Sequence, residues 1–387
     1  MAKATSIHRT TGAGGIDNPI AALLTPDGVL TEEGERVAAV SDEALRALYR
    51  WMVIVRRLDQ EALNLQRQGQ LGLWGPIQGH EAAQVGGALA MRETDWIFPY
   101  YRDFGMAVTR GIDPGAILTI FRGLRHGSWN PREYNFGPFI IPVGTQIPHA
   151  VGYAMGCKLD GEDTVTLTCS GEGATSTGDW HEAMNFAGVF QAPVVFLCQN
   201  NQWAISVPVS EQVAGRIVDR AAGYGMPGVR VDGTDAMTVY AAVKLASDHV
   251  RAGKGPYLIE SYAYRDGPHT TADDPTRYRN EEDALAFYRQ LGDREPENTA
   301  GWRARDPIAR AAGRLRARGA WSDDFSRECD EDAEERATGM RQTLQGATPD
   351  HPGSVFGLVF ANPPQSLLRE RDAFVADLAD SAGTEGR

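Results

Sequence analysis

From Ser41 onward apolar residues recur at Leu45, Leu48, Met52, Val55, Leu58, Ala62 and Leu65, a spacing that lines one face of a helix. Ser41 followed by Asp42 and Glu43 reads as the N-cap and first turn of that helix, and Gly69 as its stop. Further along, the pattern changes to short apolar runs. Thr164-Val165-Thr166-Leu167-Thr168-Cys169 and Pro193-Val194-Val195-Phe196-Leu197-Cys198 read as buried strands, with a helix from Asp179 to Phe190 between them. The spacing also predicts helices over Gly79 to Met91, Pro148 to Leu159 and Asp235 to Ala252, and part of one over Ile117 to Arg122. Strands are predicted over Trp96 to Tyr100 and Tyr257 to Tyr262, an irregular stretch over Gly127 to Gly144, and a polar loop over Asp266 to Tyr278. This alternation predicts an α/β fold, a doubly wound parallel sheet with flanking helices.

Chemistry concentrates between Gly171 and Asn201. Gly171-Glu172-Gly173 is followed after 26 residues by the amide pair Asn200-Asn201, a spacing of one βαβ step. The carboxylate and the amides therefore leave the carboxyl ends of adjacent parallel strands, where open α/β sheets bind ligands. Oxygen donors beside bare glycine backbone suit Mg²⁺ and a diphosphate, because a hard cation takes carboxylate, amide and carbonyl oxygens and completes its shell with phosphate and water. Other readings compete. Gly-acid-Gly alone is a common turn. A glycine turn after a strand also opens dinucleotide-binding motifs. Here, however, the third glycine of that motif is Ser176, and the next strand ends in Gln199-Asn200-Asn201 where a ribose-binding acid belongs. A scaffold subunit without activity is a third reading, against which the retained metal ligands argue.

The segment GEGATSTGDWHEAMNFAGVFQAPVVFLCQNNQWAIS, more than thirty residues long, resembles the thiamine-diphosphate motif of the α subunits of 2-oxo acid dehydrogenase E1 components. The resemblance covers roughly residues 40 to 370 and implies the thiamin diphosphate-binding fold. It implies that Glu172, the Asn201 side chain and the main-chain carbonyl of Trp203 hold Mg²⁺ against the diphosphate. Gly171, Gly173 and Ala174 become cofactor-binding positions, the last two letting the backbone approach.

Three further segments resemble elements of the same family. Phe98-Pro99-Tyr100-Tyr101-Arg102-Asp103 resembles the element whose tyrosine and arginine, here Tyr101 and Arg102, contact the diphosphate; arginine's planar fork satisfies phosphate oxygens in pairs. Ile140 to Pro148 resembles the loop that touches the pyrimidine, with Val143 at the apolar contact. In some relatives that loop encloses K⁺, and Thr145 and Gln146 match its ligands. Ile140 and Ile141 replace two serines, however, which counts against a K⁺ site. Tyr264 to Asp274 resembles the active-site loop, in which Arg265 binds the diphosphate and His269 is a catalytic, cofactor-binding residue near the thiazolium. A histidine there, with an ordinary pKa of about 6.5, gives or takes protons near neutral pH. Thr270 and Thr276 stand where some relatives carry kinase-regulated serines, but a hydroxyl alone identifies no kinase. Leu73, Trp74 and Tyr101 are candidates for the substrate pocket.

The 387 residues contain no repeat and no long linker. The expected organisation is a loose arm over 1–40, the cofactor-binding domain over 41–300, and a helical extension over 301–387 broken at Phe360-Ala361-Asn362-Pro363-Pro364, similar to the family's docking extension. A net charge of −13 without a dense basic patch argues against nucleic-acid binding. Part of that acidity lies in Asp323 to Glu335, which reads as a solvated helix face. Cys157, Cys169, Cys198 and Cys329 form no C-x-x-C pair and read as small core residues in a reducing compartment. With no apolar signal over Met1 to Asn18 and no membrane-length apolar run, a cytoplasmic location away from membranes is expected.

What the resemblance implies is a thiamine-diphosphate-dependent, decarboxylating 2-oxo acid dehydrogenase that passes its acyl group to lipoylated E2. The glutamate that activates the aminopyrimidine belongs to a separate β subunit in the family, and no second pyrimidine-binding domain fits within 387 residues. An α₂β₂ heterotetramer, active only with the β subunit, is expected. Glu172, where aspartate is commoner, and the run from Asn201 to Ser206 lean toward branched-chain substrates such as 3-methyl-2-oxobutanoate. Pyruvate and then acetoin are the alternatives.

Overall fold

The computed structural model describes residues 40–125, 127–291 and 305–384. Most of the expected N-terminal arm and the junction expected at residue 300 lie outside the described residues. The main sheet has five strands: β1 (Trp96–Phe98), β2 (Thr166–Gly171), β3 (Val194–Asn200), β4 (Gly228–Asp232) and β5 (Tyr257–Tyr262). They lie in the order β1-β2-β3-β5-β4, and every pairing is parallel. All seven residues of β3 are buried, as a strand covered by helices on both faces requires.

The pleat divides β3 between two cores. Val195 and Leu197 point into one, with Leu167 and Cys169 of β2 and the helices Asp42–Arg67, Glu81–Ala90 and Ala236–Arg251. Val194, Phe196 and Cys198 point into the other, against the helices Gln146–Asp160 and Gly178–Phe190. The doubly wound α/β fold expected from the alternation is the observed one. Helix Asp42–Arg67 follows its apolar spacing, and the Ser41 hydroxyl caps it by accepting the Ala44 N–H at 3.1 Å.

Three local features depart from the sequence reading. Strand β4 was not predicted, since Gly228-Val229-Arg230-Val231-Asp232 is short, polar and at the sheet edge, where one side needs no apolar cover. The strands β2 and β3 run on to Gly171 and Asn200, two residues past the predicted ends, because polar residues there still pair in register, Gly171 opposite Gln199. The acidic stretch from Asp323 is not solvated all round. Phe325, Cys329, Ala333, Ala337, Met340 and Leu344 of helix Asp323–Gly346 are buried against helix Asp42–Arg67, and Asp332 pairs with Arg50 at 2.6 Å. Small residues at that seam kept its apolar face inconspicuous. The four cysteines are buried and unpaired. Among the described residues no helix is long and apolar enough to cross a membrane.

Candidate active site

Strands β2 and β3 end side by side and release the two chemical segments at one edge of the sheet. After Gly171 the chain makes a 3₁₀ turn, Glu172–Ser176, and then enters helix Gly178–Phe190 with Thr177 as its N-cap. After Asn200 it turns sharply at Gln202, whose φ of 75° is held by hydrogen bonds from its backbone N–H and side-chain amide to the Asn200 Oδ1. Trp203-Ala204 then pairs with Val207-Pro208 as a two-residue hairpin. Every residue predicted for the cofactor site except Arg265 lines one cleft of about 550 Å³ at this edge. Arg265 stands behind the cleft wall, with Nη1 3.3 Å from the His269 Nδ1.

Three oxygen-bearing groups, from Glu172, Asn201 and Trp203, line the cleft near the end of β3. The buried Glu172 carboxylate accepts the Asn201 N–H at 3.1 Å, the Asn201 Oδ1 accepts the Trp203 N–H at 3.1 Å, and the Trp203 carbonyl accepts Arg265 at 3.0 Å. Burial pushes the Glu172 carboxyl pKa up, although backbone N–H groups and the charges of Arg265 and Arg102 work the other way. A carboxylate, an amide oxygen and a carbonyl are the oxygen types that a hard cation takes.

Two buried cations accompany the cleft, Arg102 in its lining and Arg265 behind it. Arg102 donates to the Pro76 carbonyl at 2.8 Å and to the His269 carbonyl at 2.9 Å. Arg265 donates to the Trp203 and Ile205 carbonyls and to the Tyr278 hydroxyl, at 2.7 to 3.0 Å, and its Nε has no partner. Among the described residues neither guanidinium pairs with a carboxylate, so their charges are left to an anion. Gly173 leaves the backbone bare at the edge of this space, since a Cβ there would sit 3.0 Å from the Ala204 Cβ.

The two arginines also settle the state of His269. Its Nδ1 lies 3.2 Å from Arg102 Nη2 and 3.3 Å from Arg265 Nη1, both obligate donors, so Nδ1 accepts and Nε2 carries the proton, 3.4 Å from the Tyr101 hydroxyl. Burial, and then the charges of Arg102 and Arg265, push its pKa down to about 3. The ring is therefore neutral at pH 7. Proton exchange near neutrality, expected from an ordinary histidine, requires an anion between these guanidiniums first.

The dehydrogenase E1 component family matches residues 49–343 of the chain. Over 362 residues the chain is 46% identical to the 3-methyl-2-oxobutanoate dehydrogenase subunit alpha of Mycobacterium tuberculosis, covering 92% of this chain and 94% of the relative. It is 40% identical over 324 residues to a pyruvate dehydrogenase E1 component subunit alpha of Bacillus cereus, covering 82% of this chain and 83% of the relative. The chain belongs to the dehydrogenase E1 component family. Membership makes it part of a thiamine-diphosphate-dependent, decarboxylating enzyme.

Two buried polar atoms facing the E1 cleft fit a polar guest. The Tyr100 hydroxyl and the Gln146 Oε1 have no hydrogen-bond partner, although the Gln146 amide donates to the Cys169 carbonyl at 2.7 Å. Leu73, Phe121, Ile140 and Ile141 form an apolar wall of the same cleft. Trp74, expected in the pocket, is instead 1% exposed and donates its Nε1–H to Asp59 at 2.8 Å. Burial wins over pocket lining because its indole packs edge-on against Phe104 and Phe121.

Sequence reasoning gave no role to Asp59, His80, Asp103 and Gln199, buried polar residues, of which Gln199 reaches Asp103 across 96 positions and His80 reaches Asn201 across 121. No local signal marks them. Asp59 illustrates their cost. Its Oδ1 accepts both the Trp74 indole and the Ile77 N–H, and burial pushes its pKa up from 3.8 to about 7. A carboxyl raised in the folded state favours folding most below its unfolded pKa and loses that contribution as pH rises through about 7. Asp59→Asn keeps one oxygen for both donors. Its melting temperature relative to wild type is expected to climb between pH 4 and 7.5 and then level off, worth up to about 4 kcal/mol. Thermal melts across that range check this, and a constant offset refutes the buried charge.

Proposed function

We propose that the chain is the α subunit of a branched-chain 2-oxo acid dehydrogenase E1 component, acting on 3-methyl-2-oxobutanoate. The observation that carries the site is the pair of buried guanidiniums, Arg102 and Arg265, without carboxylate partners beside a cation-type oxygen set. In this reading Glu172, the Asn201 Oδ1 and the Trp203 carbonyl hold Mg²⁺. Arg102, Arg265 and Tyr101 face the diphosphate, Gly171, Gly173 and Ala174 let it approach, and Val143 lies against the pyrimidine. Thiamine diphosphate supplies the nucleophilic carbon and the electron sink for loss of CO₂. The chain's own residues do the rest: they fix the cofactor's charge, keep water from Glu172, and present the His269 Nε2–H as a donor toward the reacting atoms.

The site is half a site. Leu73, Ile141, Val143 and Ile205 at the mouth are between 44% and 60% exposed, an apolar rim that supports cover by a β subunit. We place the chain in an α₂β₂ heterotetramer in the cytoplasm, with lipoylated E2 as acyl acceptor. Residues 41–300 serve as the cofactor-binding domain and 301–387 as a helical extension. Thr145 and Gln146 remain beside an apolar Ile140-Ile141 pair, an arrangement poor in oxygen for K⁺.

Substrate choice rests on the mycobacterial relative, and the pyruvate dehydrogenase relatives favour pyruvate as the second reading. The chain alone is expected to show no decarboxylation. With its β partner, kcat/KM for 3-methyl-2-oxobutanoate is expected to exceed that for pyruvate at least about tenfold, the low end of what added methyl groups contribute in an apolar pocket. Steady-state decarboxylation of both acids decides this. A preference for pyruvate moves the assignment to the second reading, and turnover by the isolated chain removes the half-site argument.

A further inference from the structure

We propose that His80 is a positioning residue that sets which end of the Asn201 side-chain amide faces the cation. The inference rests on the metal assignment above and adds a residue to it. An amide has an oxygen at one end and an NH₂ at the other, of nearly the same shape, and only the oxygen can ligate a cation. A half-turn of the Asn201 side chain would therefore turn a ligand into a repelling group. Something must choose the orientation, and the contacts show what does.

Asn201 is held at both ends. Its Oδ1 accepts the Trp203 N–H at 3.1 Å, and its Nδ2 lies 3.0 Å from the His80 Nε2. His80 is 0% exposed, and its other ring nitrogen, Nδ1, lies 3.2 Å from the Ile77 carbonyl. A carbonyl only accepts, so the ring proton sits on Nδ1 and Nε2 is a bare acceptor. A flipped Asn201 would point its oxygen lone pairs at the Nε2 lone pair and its NH₂ at the Trp203 N–H. Both contacts would become repulsive at once.

The histidine is itself anchored. Its backbone N–H donates to the Ile77 carbonyl at 2.8 Å, and it stands at the start of helix Glu81–Ala90. One residue back, Gly79 donates its N–H to the Glu81 carboxylate, which also takes Arg56 at 2.8 Å. Ile77 in turn donates its N–H to Asp59. Asp59, Ile77, His80 and Asn201 thus form a continuous chain from helix Asp42–Arg67 to a cation ligand. Partners that orient a metal ligand in this way are worth about 10- to 100-fold in metal affinity.

The test is Mn²⁺ binding, read by electron paramagnetic resonance, on the complex reconstituted with its β subunit and thiamine diphosphate. His80→Phe keeps an aromatic ring but removes the acceptor, and is expected to weaken Mn²⁺ binding about 10- to 100-fold. His80→Gln places a carbonyl oxygen against the Asn201 Nδ2 and is expected to restore affinity to within a few-fold. Asn201→Asp has oxygen at both ends, so orientation no longer matters there, and His80→Phe added to it is expected to cause no loss of affinity, since it only removes a lone pair facing the carboxylate.

The outcomes separate cleanly. Wild-type Mn²⁺ affinity in Asn201→Ala refutes the metal assignment itself. Loss in Asn201→Ala with wild-type affinity in His80→Phe overturns the inference and leaves the metal assignment standing. An equal loss from His80→Phe with and without Asn201→Asp also overturns it, since that pattern reports a damaged fold and not an unset amide. If His80→Phe does not fold, failure of the folded His80→Gln variant to bind Mn²⁺ within tenfold of wild type overturns it.

Discussion

Glu172→Gln is expected to abolish Mg²⁺-supported binding of thiamine diphosphate and, in the cofactor-free chain, to raise the melting temperature at neutral pH. The two effects have one cause. Glu172 is 2% exposed, and burial holds its carboxyl pKa above the usual 4.5. Its charged form is thus a burden on the fold whenever pH exceeds the unfolded value. A raised carboxyl contributes stability that is full below about 4.5 and is lost as pH rises through the folded pKa. Glutamine keeps an oxygen for the Asn201 N–H now accepted at 3.1 Å and drops the charge. The same charge is the only negative one among the three oxygen donors. Removing one partner of a buried charge pair costs about 3–5 kcal/mol, or about two to four orders of magnitude in affinity. Calorimetric titration of the reconstituted complex measures the loss, and melts of the free chain between pH 4.5 and 8 measure the gain. Unchanged cofactor affinity removes Glu172 from the cation site. A lowered melting temperature at pH 8 shows that the carboxylate serves the fold instead.

Arg102→Ala is expected to weaken cofactor binding about 10- to 100-fold, the worth of one charge-assisted contact or a little more. It is also expected to release His269. The guanidinium joins the segment at Pro76 to the active-site loop through the His269 carbonyl and ring, at 2.8 to 3.2 Å. After burial, Arg102 is the largest cause of the fall of the His269 pKa to about 3. Without it, that pKa rises toward 6.5. For a histidine held low, stability present above the unfolded value is lost as pH falls from about 6.5 toward 3, so the variant is expected to lose less stability in that window. Arg102→Lys is expected to restore little, since one ammonium cannot span the three acceptors. Nitrogen-15 spectra of the imidazole report the pKa and tautomer directly. His269→Ala, in contrast, is expected to bind the cofactor at close to wild-type affinity and to lose acyl transfer to a lipoyl domain. If Arg102→Ala leaves the His269 pKa near 3, the electrostatic account of this loop is wrong. If His269→Ala acylates at the wild-type rate, the ring is a bystander.

Much of the site is local and therefore legible along the chain. The run from Gly171 to Asn201 encodes a strand, a turn, a helix and a strand. A βαβ step of that length must deliver Glu172 and Asn201 to neighbouring strand ends, and Gly171 does lie opposite Gln199 in the paired strands. The apolar run Val194 to Cys198 of β3 had to be buried on both faces because none of its side chains is suited to water. The Ser41 cap and the apolar stripe behind it are likewise set by residues three and four apart.

Contacts across the fold are of another kind. The wall formed by Leu73, Phe121, Ile140 and Ile141 joins three separate segments, and Trp74, one residue from Leu73, turns inward to Asp59 instead. A residue's direction there depends on what packs behind it. Linear order is thus enough for the parallel α/β sheet and for bringing Glu172 and Asn201 to neighbouring strand ends, since these depend on periodicity and on spacing within one supersecondary unit, whereas the cofactor class came from the resemblance of whole segments to a family. It took the folded arrangement to make His269 neutral between two guanidiniums and to bring His80 to Asn201 from 121 positions away. A pKa and an amide's orientation are set by the nearest charges and lone pairs in space, and the order of residues along the chain does not carry those distances.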